Sequence, residues 1–380
     1  MKSKKLTLFA LPCLLLASFS LTSCSCEEDK TYSVFFSEFY QGKDANDAMV
    51  ELGSTSSGDY SLEGLKVNFY SGQEITHSYT FNENDVISKD APIIFANKDA
   101  SVDLLSTDYI ALDDNYLYGS YYVELVDSNN KVIDCLGYKG FDVEFVNNQS
   151  LVRLEEKMTP NGKYDPLNYV AVRSGITSYL GNINAPISLE ELMSGPRLDE
   201  TLYGNSPFFE NRDGKGGYIN VTIQTLGDGD TTYFYYPEDS GLNNSDRVRY
   251  LMIDTPEVDH GPGGVDEEAW GNEAKRVNNE KLTNAKGIIL QSNKDFALYE
   301  TFGRILGYVW YTNQDPNDIS SYRLLNFEMV LDGLAEFAES DKYETMYYKD
   351  ILYYDYLKYA NDYASSLGLK IHGEVDPDFK

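Results

Sequence analysis

Four short stretches carry residue types that can act together on an anionic ester: Asp228-Gly229-Asp230-Thr231, Arg249, Asp254-Thr255-Pro256-Glu257 and Gly303-Arg304. The planar forks of Arg249 and Arg304 can each grip two oxygens of a phosphate, which a lysine cannot imitate. Asp230 and Asp254 offer hard carboxylate oxygens of the kind Ca²⁺ takes, and a backbone carbonyl such as that of Thr255 could complete the shell with water. Glu257 is the candidate general base, because a carboxylate within hydrogen-bond reach of water can draw a proton from it. Asp228 could support the metal ligands from behind. An anionic diester gains charge as water attacks, so its hydrolysis needs a base, cations around the oxygens and close alignment. Taken singly, each stretch has an ordinary reading. Asp-Gly-Asp in a turn is usually a solvated turn, Arg249 and Glu257 read as charges flanking a strand, and Arg304 reads as a hairpin residue.

The elements between these residues must bring them together. Residues 218–223 alternate as a strand, 226–231 read as a turn and 232–236 as a second strand. A polar loop over 237–246 leads to a strand over 248–253, which Pro256 should stop. Helices are expected over 268–282, 326–335 and 344–367, and strands over 287–290 and 303–310. In the last helix Tyr353, Leu357, Ala360 and Ala364 recur at helical spacing and read as core. Five short strands and three helices predict an α+β domain, a small OB-type barrel with packed helices. Arg249 and Asp254 are five residues apart, so strand parity does not put them on one face. The chain must bend at the strand end to bring both to one site.

As an ordered set these motifs resemble the thermonuclease (staphylococcal-nuclease-like) family, from about Gly216 to His372. Further signals are Gly271-Asn272-Glu273-Ala274, the run Gly303-Arg304-Ile305-Leu306-Gly307-Tyr308-Val309, Asn326 and Gly333-Leu334-Ala335. The resemblance implies a calcium-dependent endonuclease, a hydrolase cutting DNA and RNA at the 5′ side of the phosphodiester and leaving 3′-phosphates. It implies catalytic Arg249, Glu257 and Arg304, and metal ligation by Asp230, Asp254 and Thr255. The alternative is a surface nucleic-acid-binding or adhesion protein with a non-catalytic barrel. A decayed barrel would be expected to lose Arg249, Glu257 or Arg304, and none is lost. His260 and His372 lack metal-like spacing.

The charge balance sets a limit on how such a substrate is held. With 31 Lys+Arg against 61 Asp+Glu the net charge is −30. That excludes nucleic-acid binding through bulk positive charge. From Asn205 to Lys380 the count is about 31 acidic against 16 basic residues, so the second half is no hidden basic module. Strong dependence on Ca²⁺ and on salt is the expected consequence. The aromatic content, 14% with 32 Tyr, reads as β-rich cores rather than binding surface.

Residues 31–182 read as short strands separated by Gly, Asn, Asp and Ser breaks, which suggests an antiparallel sandwich. Phe36-Ser37-Glu38-Phe39-Tyr40, Ala48-Met49-Val50-Glu51-Leu52-Gly53, Gly64-Leu65-Lys66, Asp134-Cys135-Leu136-Gly137-Tyr138 and the run from Gln149 to Leu154 resemble the lamin-tail domain. That resemblance implies an all-β immunoglobulin-like sandwich that binds or positions something, with no catalytic residues and no legible ligand. His77 stands alone in this half and reads as a surface or hydrogen-bonded residue.

The first residues read as an export signal. Lys2, Lys4 and Lys5 precede an uncharged run over 6–21, too short for a membrane span. It closes on Leu21-Thr22-Ser23-Cys24, which resembles the lipobox of bacterial lipoproteins, so lipidation is expected at Cys24. The mature chain would then be membrane-anchored on the extracytoplasmic face, with more than one acyl chain. Of the remaining cysteines, Cys26 sits on the tether, and no structural disulfide with Cys135 is expected. The expected organisation is a signal peptide (1–23), a tether (24–30), the sandwich (31–182), a linker (183–215), the barrel (216–373) and a tail (374–380).

Overall fold

The computed structural model describes residues 31–101, 109–141, 143–199, 217–259, 261, 266–293, 297–338 and 346–379, with residue 239 by its backbone alone. The expected signal peptide, Cys24, Cys26, His260 and residues 200–215 of the expected linker lie outside the described residues.

Ten strands build the two main sheets of the first module: β1 (Val34–Gln41), β2 (Ala48–Ser54), β3 (Lys66–Ser71), β4 (Glu74–Thr80), β5 (Ile93–Ala96), β6 (Tyr109–Ala111), β7 (Val123–Val126), β8 (Val132–Leu136), β9 (Gln149–Arg153) and β10 (Tyr169–Arg173). They form a six-stranded sheet, β10-β9-β1-β2-β5-β6, and a four-stranded sheet, β8-β7-β3-β4. The sheets meet through rings: Phe69 and Tyr79 of the smaller sheet lie 5.8 and 5.2 Å from Phe95 of the larger. The expected all-antiparallel order fails at one edge, where β5 and β6 run parallel. Residues 97–108 between them are long enough for a crossover, which a parallel pair requires and a hairpin does not supply.

Arg153 on β9 and Asp134 on β8 tie the two sheets at 2.8 Å, both almost fully enclosed. Asp134 also accepts the Phe36 amide at 2.7 Å, and Arg153 donates to the Tyr169 hydroxyl and to the carbonyls of Phe36 and Lys157. Partners on this scale are what a buried charge needs. His77 stacks on Tyr116 at 4.7 Å. Cys135 is buried with a free thiol.

The second module begins with β11 (Tyr218–Leu226), β12 (Thr231–Tyr235), β13 (Arg247–Tyr250), the short β14 (Ile253–Asp254), β15 (Gly287–Gln291) and β16 (Ile305–Thr312). The order β13-β12-β11-β15-β16 closes on itself through a parallel β13–β16 pairing, the circuit of an OB-type barrel. Alternation sets the faces: Thr232, Phe234, Val248 and Tyr250 are buried, while Tyr233, Tyr235, Arg247 and Arg249 point outward. Three helices pack on the barrel, α1 (Gly271–Thr283), α2 (Leu325–Leu331) and α3 (Tyr353–Ser366).

Several expected elements are cut short, and the helix expected over 326–335 ends at Leu331. The strand expected over 248–253 breaks after Tyr250, and the helix expected over 344–367 begins only at Tyr353. Before α3, Tyr347–Tyr348 pairs with Ile351–Leu352 across Lys349-Asp350, both at positive φ. Two consecutive left-handed residues make the tight turn a hairpin prefers. Asp350 is held there by Arg173 of β10 at 2.7 Å, a tertiary contact that helical periodicity cannot report.

The residues from Ser33 onward form one compact unit. Val152, Leu154, Val170 and Val172 of the first module, Ile187, Leu192 and Leu198 after it, and Phe234, Phe327 and Tyr356 of the second belong to one buried apolar cluster. Gly195, at φ +75°, stands so close to Phe327 that a Cβ would lie 2.6 Å from its ring. The buried Asp355 of α3 accepts the Gln149 amide across the same seam.

Candidate active site

The turn between β11 and β12 carries Asp228, Gly229 and Asp230. It is fixed from below by a chain of hydrogen bonds: Thr232 to the Tyr250 hydroxyl (2.9 Å), that hydroxyl to Asn278 (3.0 Å), and the Asn278 amide to the Asp228 carbonyl (2.8 Å). Asn278 is fully buried on α1, so the helix sets the height of the turn. Gly229 lies against Thr255, where an added Cβ would approach within 2.8 Å. Asp230 Oδ2 accepts the Thr255 amide at 3.0 Å, which brings together two segments 25 residues apart.

The required bend between Arg249 and Asp254 is present. Met252 adopts φ 61°, and the Leu251 amide donates to the Gly307 carbonyl at 2.9 Å. Buried Asn326 straps the same point, giving its amide to the Leu251 carbonyl and accepting the Val309 amide, each at 2.9 Å. Arg249 closes the bend from outside, donating to the carbonyls of Tyr250 (3.2 Å) and Ile253 (2.6 Å). Its guanidinium also lies 3.0 Å from Asp230 Oδ2 and 2.5 Å from Asp254 Oδ1. One guanidinium thus spans both candidate metal-ligating carboxylates.

Glu257 follows Pro256 on a loop clipped to Glu268. The Glu257 amide donates to Glu268 Oε2 at 3.0 Å, and the Glu268 amide returns to the Glu257 carbonyl at 2.9 Å. Gly271 at the start of α1 allows this loop to approach, since a Cβ there would stand 2.3 Å from the Glu257 carbonyl. On the far side, a turn with Gly303 at φ 77° delivers Arg304 to the start of β16. Glu300 holds Arg304 with both oxygens, accepting Nη2 at 2.9 Å and Nε on the other side.

These segments converge on one cleft of about 270 Å³, lined by Asp228, Asp230, Arg249, Asp254, Thr255, Glu257 and Arg304 together with Thr231 and Arg247. Every residue singled out in the sequence for the barrel chemistry lies here. A larger hollow of about 600 Å³ opens on the first module beside Asp44, Asp47 and Asp99, with Lys43 at its wall; it contains no guanidinium, so size does not select the site. The sequence reading missed Arg247 and Glu300. Arg247 was legible as the i−2 neighbour of Arg249 on the same strand face. Glu300 was not, because it meets Arg304 across a turn.

The electrostatics tie the cleft together. The Arg304 guanidinium beside Glu300 holds that carboxyl below its usual range, and Arg249 and Arg247 add to the effect. Glu300 in turn raises Arg304, with Asp230 and Glu257 contributing. Partial burial pushes the Asp254 carboxyl up, Arg249 opposes this, and Asp230, Glu336 and Glu268 reinforce it. Among the described residues no group of three or more His, Cys, Asp or Glu is arranged to hold a metal ion. The donor set is two carboxylates and nearby carbonyls, all hard oxygens. That chemistry is of the kind a hard cation with water in its shell takes, and in this structure Arg249 engages both carboxylates.

Residues 247–362 match the family described as staphylococcal nuclease homologue. Over 120 residues the chain is 29% identical to the endonuclease YncB of Bacillus subtilis (strain 168), a match covering 32% of this chain and 48% of that protein. The chain therefore spans about half the length of the curated relative it matches. With the closed barrel and its flanking helices, these likenesses make the C-terminal module of this chain a staphylococcal-nuclease-like domain.

Proposed function

We propose that the barrel cleft hydrolyses phosphodiesters of DNA and RNA, attacking at the 5′ side and leaving 3′-phosphates. The observation that carries this reading is the convergence of Arg249, Arg304, Asp230, Asp254 and Glu257 on one small cleft. Glu257 takes a proton from the attacking water. Arg249 and Arg304 neutralise the phosphoryl oxygens as charge develops on them. Glu300 engages Nε and Nη2 of Arg304, which turns the Nη1 edge to the phosphate. Asp230, Asp254 and the Thr255 carbonyl would hold Ca²⁺, which when bound supplies a counter-charge for the phosphate, and Asp228 supports them from behind.

In the same proposal the first module is a lamin-tail-like immunoglobulin sandwich that positions the barrel or binds a ligand. Lipid on Cys24 anchors the chain to the extracytoplasmic face of the membrane. The packed sheets fit the first part of this, and the lipobox-like sequence supports the second.

The test is hydrolysis of single- and double-stranded DNA and RNA with Ca²⁺ or a chelator. Chelation should abolish cleavage, and Glu257→Gln should lower kcat by at least about 10²-fold. Equal rates for Glu257→Gln and the parent would remove Glu257 from the mechanism, and chelator-indifferent cleavage would remove the metal.

A further inference from the structure

Trp270, the residue just before α1, holds a backbone conformation that its side chain disfavours. Its φ is 70° and its ψ −3°, in the left-handed region that bulky residues occupy only where surrounding contacts impose it. Its side chain also has no oxygen to cap the helix, as Ser, Thr, Asp or Asn would at that place. The C-terminal segment supplies both the restraint and the cap. Asp376 Oδ2 accepts the Trp270 amide at 2.6 Å, and the Glu374 carbonyl accepts the indole Nε1 at 3.2 Å. The carboxylate is itself aimed, because its other oxygen accepts the Asp378 amide at 2.9 Å. Upstream the segment is tethered at Lys370, whose carbonyl accepts the amides of Gly373 and Glu374 at 3.1 and 3.0 Å and whose Nζ donates to the Asp332 carbonyl at 2.7 Å.

What Trp270 fixes lies against the cleft. The Gly271 amide donates to the Glu268 carbonyl at 3.1 Å, and Glu268 is the residue that exchanges two backbone-amide hydrogen bonds with Glu257. Gly271 packs on the carbonyls of Glu257 and Pro256, where a Cβ would stand 2.3 and 3.0 Å away. A change in how α1 begins therefore displaces the backbone that carries Glu257.

We propose that Asp376 is a positioning residue for Glu257: by pinning Trp270 it fixes the start of α1 and, through Gly271 and Glu268, the aim of the Glu257 carboxylate. The consequence for catalysis rests on the phosphodiesterase reading. A general base must stay within hydrogen-bond reach of its water, and a misplacement of about 1 Å can cost about 10²-fold in rate. Asp376 reaches Trp270 from 106 positions along the chain, so the tie is tertiary and neither α1 nor the Glu257 segment supplies it. Backbone amides of Trp270, Asp378 and Phe379 hold the Asp376 carboxyl below its ordinary range, which keeps it an acceptor at neutral pH. A competing account is that any negative charge near the N-terminus of α1 would serve, through the helix dipole.

The experiment uses the full chain with Asp376→Ala and Asp376→Asn, each alone and with Glu257→Gln. Hydrogen–deuterium exchange without nucleic acid reads the tie independently of cleavage. Asp376→Ala should speed exchange at the Glu257 and Glu268 amides by about tenfold and leave β1 and β9 as in the parent. Asp376→Asn keeps an acceptor for the Trp270 amide but drops the charge, and should exchange as the parent does. In hydrolysis of single- and double-stranded DNA with Ca²⁺, Asp376→Ala should lower kcat about tenfold with KM within about twofold, and Asp376→Asn should recover most of the loss. In the Glu257→Gln background, Asp376→Ala should lower the residual rate by less than about twofold, since no base remains to misplace. Unchanged exchange at Glu257 and Glu268 overturns the tie, and a loss in Asp376→Asn equal to that in Asp376→Ala assigns the effect to helix charge instead. The same fall in kcat with and without Glu257 overturns the positioning role. A parent chain that never cuts loses the hydrolysis reading, while exchange still decides whether Asp376 holds the Glu257 segment.

Discussion

The two modules use the same side chains in opposite ways. In the first, Arg153 is walled in, and its donors are spent on Asp134, Tyr169 and the carbonyls of Phe36 and Lys157. In the second, Arg249 also meets carboxylates and carbonyls, but at the edge of a cleft, where Asp254 keeps 65% of its side chain in solvent. The acids differ in the same sense. Glu51 of β2 and Asp355 of α3 are both pushed up to about 7 by burial, and fully buried Glu38 is driven up by burial and by Glu51. The cleft acids instead face guanidinium groups. Residue type alone says little about chemistry here; what decides is whether water and a ligand can reach the charge.

The sharpest way to break this contrast is to remove each guanidinium in turn. Arg153→Met leaves Asp134 buried without its countercharge and should cost about 3–5 kcal/mol of stability, read by denaturant unfolding. Arg249→Lys should instead leave the unfolding midpoint within a few degrees and lower kcat/KM by about 10²-fold, because the two-pronged grip is lost. Similar stability losses for both would erase the distinction between the modules.

Within the cleft, Glu300→Gln tests whether Arg304 is held or merely nearby. It should raise KM for a single-stranded substrate by about tenfold with a smaller change in kcat, since a positioned fork is replaced by a mobile one. Glu300→Asp should recover part of that loss, a rescue that a purely structural role would not give.

The buried acids give a gentler test. Asp355 and Glu51 hold protons in the folded chain that the unfolded chain releases above about pH 4. The folded state therefore binds more protons from about pH 4 to 7, and stability should fall as pH rises through that window and level off beyond it. Asp355→Asn keeps the acceptor for Gln149 and should flatten that fall in a thermal-unfolding series. A pH profile identical to the parent's would mean that Asp355 does not carry the linkage.

The legibility of the molecule follows the same line between local and tertiary causes. The alternation Thr232-Tyr233-Phe234-Tyr235 and Val248-Arg249-Tyr250 was readable because a half-buried strand obeys a period of two. The cleft residues were readable as types in an order. The bend at Leu251-Met252 was inferred as a need, but its mechanism lies in Asn326 and Gly307, which are distant in sequence. The hairpin before α3 was missed because a Tyr-rich run carries no turn signal of its own, and Arg173 supplies the anchor. Glu38 and Glu51 gave no sequence hint of being dry, for burial of an acid depends on what covers it.

The seam through Gly195 and Phe327 means that the C-terminal barrel cannot be treated as a cassette. A fragment starting near residue 217 would leave the flanks of Phe327 and Tyr356 wet, along with the rest of the surface that Val152, Val170 and Leu192 now shield. Any attempt to graft this barrel elsewhere must carry along the strands that roof it, or replace them with an equally apolar lid.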